Sequence, residues 1–160
     1  MTVYKIDSTV LPFVYIDNYS QKDIPFICAT WSNSFRHSRI GSLLSVREFK
    51  RFHYELMAAV LAYPSTQVRV VRLKEDDTSL LSYAVYDVCE SVLHYTYTKY
   101  EYRKNGLACN LCLGKNIKFV SMESDLKLPS FLWHLKHHPY FLFGVMQSYG
   151  YKTCLDRPKD

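Results

Sequence analysis

The sequence predicts an α/β chain, a mixed and mostly antiparallel sheet with helices on both faces, in one domain over residues 1–160. Three observations predict it. Two helical patterns stand early, at Asp23–His37 and Ser45–Ala62. Three β-rich runs joined by short polar links follow at Val68–Leu73, Leu80–Tyr86 and Val92–Lys99, as in an antiparallel meander. Helix and strand then alternate from Leu107 onward, and helices covering both sides of one sheet is the natural packing for that order. At 160 residues and 48% apolar, the chain supplies one core and has little room for two.

The first element, Thr9–Ile16 (TVLPFVYI), has strand-forming residues, with Pro12 confining its middle to an edge or a bulge. Asp23-Ile24-Pro25 opens a helix, Asp23 as N-cap and the proline in the first turn. Phe26, Ile27, Thr30, Trp31 and Phe35 share one face of it. The next helix is better specified. Ser45 and Glu48 form a capping box, and Phe49, Phe52, His53, Leu56, Val60 and Leu61 follow the helical period. Pro64 ends it by Ala62 or Tyr63.

The meander comes next, with Glu75–Ser79 (EDDTS) as a polar turn and a tight link over Asp87–Glu90. In its third strand, strict alternation puts His94, Thr96 and Thr98 on one face and Leu93, Tyr95 and Tyr97 on the other. A short helix over Leu107–Leu113, ended by Gly114-Lys115-Asn116, leads to a strand over Ile117–Met122. A helix is predicted from Ser130, broken or restarted at Pro139, with an apolar second part over Tyr140–Ser148 that Gly150 ends. The remainder has room for one short strand at most, so the C-terminal strands read as shortened.

The formal charge of +5 favours anionic partners in general terms. Basic and acidic residues interleave, however, and form no arm or stripe of the kind nucleic-acid binders carry. No apolar run approaches the roughly 18 residues of a membrane span, so no membrane partner is expected. The N-terminal MTVYKIDSTV lacks the apolar core and cleavage site of a secretory signal. A cytoplasmic setting is therefore expected, in which the five cysteines stay reduced.

The most informative stretch is YEYRKNGLACNL, Tyr100–Leu111. A strand, a tight turn and a helix start together aim several unpaired backbone N–H groups at one spot, which suits a phosphate. Gly106 removes the Cβ that would hold a pyrophosphate off and permits a positive φ; Ala108 keeps the first turn small. Arg103 and Lys104 add positive charge at the rim. Neither a dinucleotide-binding glycine fingerprint nor a Walker loop is present.

The motif Arg103-Lys104-Asn105-Gly106-Leu107-Ala108 is similar to the acyl-CoA loop of the GCN5-related N-acetyltransferases, which carries Arg or Gln three residues before Gly and a small residue two after it. The preceding LHYTYTKYEYR resembles that family's fourth strand, and the order of elements from Asp23 to Tyr151 resembles its fold. Phe26–Ser38 (FICATWSNSFRHS) also looks like a segment of small phage-borne members. The resemblance implies acetyl-CoA or another acyl-CoA as cofactor, with the amides of Lys104, Asn105, Gly106, Leu107, Ala108 and Cys109 on its pyrophosphate. It places the exposed backbone of Tyr97 and Thr98 along the pantetheine arm and the thioester between Thr96 and the end of the Ile117–Met122 strand. An amine would attack the thioester carbonyl there, which requires a donor for the oxyanion and a base. Glu123 is the best-placed carboxylate base, His94 the next, and Tyr140 or Tyr149 would supply the acid. The early helices of this fold border the acceptor, so Trp31, Ser34, Arg36 and Ser38 are the acceptor-binding candidates.

Two departures accompany the resemblance. Many members have a tyrosine four residues before a terminal Gly-aromatic pair; counting back from Gly150-Tyr151 gives Met146, which cannot donate a proton. Only nine residues follow Tyr151, where the family usually adds two strands, and an open sheet edge would suit a homodimer or a host protein partner. The acceptor stays open among a protein amine, a small amine and a modified nucleobase. A catalytically silent protein of the same fold, such as a phage-encoded effector in a host cytoplasm, is the alternative, and nucleic-acid binding a third reading with only net charge behind it. Cys109-Asn110-Leu111-Cys112 offers zinc two ligands where four are needed, so no metal site is expected and two small helix residues are the better reading.

Overall fold

The structure is a computed structural model, and it describes residues 11–89, 91–122 and 135–137. Among the described residues six strands stand in chain order across one sheet: β1 (Val14–Asn18), β2 (Thr66–Leu73), β3 (Leu80–Asp87), β4 (Val92–Thr98), β5 (Phe119–Val120) and β6 (Lys136–His137). The first four are antiparallel, the pairs running from Val14 opposite Leu73 to Asp87 opposite Val92. β5 joins β4, and β6 joins β5, in parallel. Every residue of β3 is buried, which is why Leu80–Asp87 is apolar on both sides instead of alternating.

Helices cover the two faces. α1 (Ile24–Arg36) and α3 (Val46–Ala62) set Ile27, Trp31, Met57 and Val60 against Val70, Tyr83 and Val85 of the sheet. On the other face α4 (Leu107–Cys112) sets Leu107 and Leu111 against Val71, Ala84, Tyr86 and Leu93. The expected mixed sheet between two helical layers is what the chain forms.

The helix ends follow local rules. The Ser45 hydroxyl accepts the Glu48 N–H at 3.2 Å, the first half of the capping box read from the sequence, and donates to the Glu48 carboxylate at 2.6 Å in place of the second half. Asp23 stands at the N-cap of α1, but its carboxylate turns to Ser20 and to Arg72 of β2. α2 (Arg39–Leu43) was not expected. Ser38 caps it by accepting the Gly41 N–H at 3.2 Å, and Gly41 lies so close to the end of α1 that a Cβ there would meet the Phe35 carbonyl oxygen at 2.1 Å.

The structure corrects several expectations. Pro12 belongs to a 3-10 turn over Leu11–Phe13, and the strand starts after it, at Val14. Phe52 is 53% exposed, and Met57 and Ala59 fill the core in its place. Lys136–His137 pair in parallel with Phe119–Val120 where the helix from Ser130 was expected to continue, in keeping with the bar that Pro139 places on helix just ahead of it. Strict alternation along β4 also fails. Val85 pairs with Tyr95 but Tyr86 with Leu93, so His94 is an extra residue on β4, a bulge. It sends Leu93 to the α4 side and Tyr95 and Tyr97 to the α1–α3 side, although the period of two had put all three together.

Candidate functional site

β4 is the spine of the site. On its β5 side it pairs only at Val92 and Leu93, and the Ser121 N–H to Leu93 carbonyl bond, 3.1 Å long, lies at the end of the pairing. Beyond it no strand among the described residues pairs with β4 on that side, which leaves a gap there among the described residues. The bulge decides which peptide groups face the gap. The Lys99 N–H donates to Leu81 of β3 at 2.8 Å and the Tyr97 carbonyl accepts from the Ser82 hydroxyl at 2.6 Å, so Tyr97 turns its backbone toward the meander. Alternation then leaves the peptide groups of Thr96 and Thr98 on the gap side, and the Thr98 carbonyl accepts from Arg103 Nε at 3.1 Å. The gap-facing pair is thus Thr96 and Thr98, one residue displaced from the expected Tyr97 and Thr98.

The glycine turn follows β4 along the chain. After β4 a 3-10 turn over Tyr100–Tyr102 leads to Arg103, whose guanidinium also lies 5.5 Å from the centre of the Tyr100 ring. Lys104 has φ 68° and Gly106 φ 74°, two left-handed residues two apart. A lysine held there is strained, and such strain gathers at ligand clamps. α4 begins at Leu107, and its first internal bond is Asn110 N–H to the Gly106 carbonyl at 3.0 Å. Among the described residues, none of the amides from Lys104 to Cys109 donates to a protein acceptor. Six N–H groups are thus left without a described acceptor in one turn, next to an exposed Arg103 and an exposed Lys104, a combination that suits an anion. Leu107 and Leu111, at most 3% exposed, anchor α4 to the sheet and hold that geometry.

The acceptor-binding candidates lie along α1 and α2. Trp31 is 1% exposed and stacks on Tyr95 at 5.5 Å. The Ser34 hydroxyl shares a 2.5 Å hydrogen bond with the Tyr95 hydroxyl. Arg36 Nη1 donates to the Gly41 and Leu44 carbonyls, and Ser38 caps α2 and donates to Phe35. Trp31 and Ser34 are the members of this group that reach β4, both through Tyr95. Beside it the Tyr83 hydroxyl donates to the Ile27 carbonyl at 3.0 Å and meets Thr30 Oγ1 at 2.6 Å. Burial pushes the Tyr83 phenol well above its usual range and raises that of Tyr95, so both stay protonated at neutral pH.

Glu123, Tyr140, Tyr149 and Met146 lie outside the described residues, as does the C-terminal edge. His94 is described. It is 4% exposed, and its Nδ1 lies 2.9 Å from Ser121 Oγ, one residue past β5. Burial lowers its pKa to about 4 against the opposing pull of Asp87, so the imidazole is neutral at pH 7. Ser121 was not picked out from the sequence; only the register of a parallel strand 27 residues away brings it to His94. Cys109 and Cys112 are unpaired, and burial raises both thiols, Cys112 to about 12. No group of three metal-ligating side chains occurs among the described residues.

No protein-family model matches the sequence, and no curated protein is similar to it in sequence. Solved structures do match. A candidate acetyl transferase from Pyrococcus furiosus superposes over 92% of this chain and 98% of its own, with a TM-score of 0.52 at 15% identity. The chain has the fold of the GCN5-related N-acetyltransferases. Two further proteins align less closely with this GNAT fold. PaiA N-acetyltransferase from Thermoplasma acidophilum, in complex with coenzyme A, matches 62% of this chain and 67% of its own at TM-score 0.42 and 14% identity. The ribosomal-protein-alanine N-acetyltransferase of Brucella melitensis biovar Abortus 2308 matches 92% and 96% at TM-score 0.40 and 9% identity. Among the described residues no helix is long and apolar enough to cross a membrane.

Proposed function

We propose that the chain is an acyl-CoA-dependent N-acyltransferase that moves an acetyl group from the thioester directly to a primary amine. One arrangement carries the reading: β4 backbone unpaired on its β5 side beyond Leu93, followed by a turn with six amides that donate to no acceptor, both among the described residues. Lys104–Cys109 would hold the pyrophosphate of the cofactor, with Arg103 at the rim. The peptide groups of Thr96 and Thr98 would run beside the pantetheine arm, as paired strand backbone otherwise would. The amine attacks the thioester carbonyl, the thiolate leaves, and a base takes the ammonium proton. Glu123 stays the proposed base, with neutral His94 as the second candidate, and Tyr140 the proposed acid. Ser34 and Trp31 would border the amine through their contacts with Tyr95, while Arg36 and Ser38 would act by fixing α2. A cytoplasmic location and a homodimer or host-protein contact belong to the same proposal.

The test is release of free coenzyme A from acetyl-CoA in the presence of amine panels, covering lysine peptides, protein N-termini, polyamines and aminated nucleobases. Turnover on one panel establishes the activity and names the acceptor class. Tight binding with no turnover on any panel favours the second reading, a silent GNAT-fold protein acting through its surface, for which Met146 in place of the usual tyrosine speaks.

A further inference from the structure

The two sides of α3 have different chemistry. Phe49, His53, Leu56, Met57 and Val60 are buried, while Val46, Arg47, Lys50, Arg51 and Tyr54 are exposed and follow the helical period along one side. In the sequence the three cations are interspersed with Glu48 and Glu55, and the helix sorts them. Glu48 receives the Ser45 hydroxyl at 2.6 Å, and Glu55 meets Arg51 at 3.7 Å in an exposed pair of the weak kind. Arg47 and Lys50 have no ion pair among the described residues. Folding does not call for this stripe. Cations in the first turns oppose the helix dipole, and Arg47 and Arg51 repel each other at a spacing of four. Two exposed aliphatic residues adjoin it: Val46, 57% exposed, one turn before Lys50, and Leu43, 80% exposed, at the end of α2.

We infer that this side of α3 docks an acidic segment of a protein partner, one that carries apolar side chains beside its carboxylates. The inference goes beyond the proposed function and does not depend on it. Charge complementarity selects an anionic partner, because Arg47 and Lys50 find no carboxylate within the described chain. The aliphatic residues select protein over nucleic acid. A phosphodiester backbone would meet Arg47, Lys50 and Arg51 but leave Leu43 in water, whereas an amphipathic acidic segment covers both. Tyr54, 49% exposed, extends the stripe by one more turn with a side chain of the type enriched at interfaces. Carboxylates arriving there also sit at the N-terminal half of α3, where the dipole favours them and the cations do not.

The experiment follows binding to the full chain by fluorescence anisotropy with three labelled probes. One is a helix-forming peptide of glutamates with leucines at helical spacing, the second the same peptide with serine for leucine, the third a single-stranded RNA of equal length. Wild type is expected to bind the leucine peptide about tenfold more tightly than either other probe, and less tightly as salt is raised. The double variant Arg47→Glu, Lys50→Glu is expected to lose about tenfold in affinity. Its urea midpoint is expected to be no lower than that of wild type, since acids suit that end of the helix, so the loss is not one of folding. The double variant Lys74→Glu, Lys118→Glu makes the same change in net charge at two exposed lysines elsewhere and is expected to bind as wild type does. Leu43→Ser is expected to reduce the preference for leucine over serine. No binding of the leucine peptide, equal binding of the two peptides, equal losses in the two double variants, or tighter binding of the RNA overturns the inference and leaves the proposed function standing.

Discussion

Asp23 and Arg72 form a bidentate ion pair, Oδ1 to Nη1 at 3.0 Å and Oδ2 to Nη2 at 2.5 Å, with both side chains at most 5% exposed. Ser20 completes it with its N–H at 2.6 Å and its hydroxyl at 2.9 Å from Oδ2, and Arg72 Nη1 also donates to the Asp77 carbonyl at 3.1 Å. The pair ties the start of α1 to β2, and α1 carries Trp31 and Ser34 to β4. Losing one partner strands the other charge in the core. Asp23→Asn and Arg72→Met are each expected to cost about 3–5 kcal/mol of folding stability, and the double variant less than their sum, in urea denaturation.

The same carboxylate sets an acid limit. Burial alone would raise the pKa of Asp23, but the bonds from Arg72 and Ser20 outweigh it and hold it below the usual 3.8. The unfolded chain therefore takes up this proton at a higher pH than the folded one. The stabilisation is present above about pH 3.8 and is lost as the pH falls through the lower folded value. Asp23→Asn is expected to flatten that part of the stability profile.

His53 predicts a loss at milder acidity. It lies 1% exposed against Phe35 and Phe49, with ring centres at 4.7 and 5.1 Å, and with neither ring nitrogen hydrogen-bonded. Burial lowers its pKa from 6.5 to about 4. The unfolded chain binds this proton below about pH 6.5 and the folded chain not until about pH 4, so stability is full above that window and falls through it as the pH drops. His94 acts in the same direction. His53→Phe keeps the stack and removes two unsatisfied nitrogens. It is expected to stabilise the fold by about 1–3 kcal/mol at pH 7.5, and by more at pH 5, in denaturation curves at the two pH values.

Much of the fold was legible because its signals are local. Ser45 with Glu48 announced α3, the polar links at Glu75–Ser79 and Asp87–Glu90 announced the meander, and Gly106 announced the turn into α4. What escaped depends on partners far along the chain. The bulge at His94 is set by its pairing with β3, and no residue type in VLHYTYT marks it. The pairings of Asp23 with Arg72 and of His94 with Ser121 span 49 and 27 residues, beyond any periodicity. α2 was missed because five residues around a glycine show no amphipathic period; its glycine is explained only by the closeness of Phe35.

That closeness predicts a sensitive position. A methyl group at Gly41 would meet the Phe35 carbonyl oxygen, which belongs to backbone and cannot swing aside. Gly41→Ala is expected to cost about 1–3 kcal/mol, read as a lower urea midpoint, and to loosen the carbonyls that Arg36 binds. Gly114, with φ 75° and nothing within 4 Å of an added Cβ, is expected to lose only the smaller cost of the left-handed conformation.

Thermal unfolding followed while acetyl-CoA is titrated tests the cofactor site most directly. With the ester at about 100 times its Kd, wild type is expected to gain roughly 2.7 kcal/mol, a clear rise in Tm. Gly106→Glu, which sets a carboxylate in the anion site and strains a residue at φ 74°, is expected to fold and to lose that rise. An unchanged Tm in wild type, or an equal rise in Gly106→Glu, would contradict a cofactor held by the turn between β4 and α4.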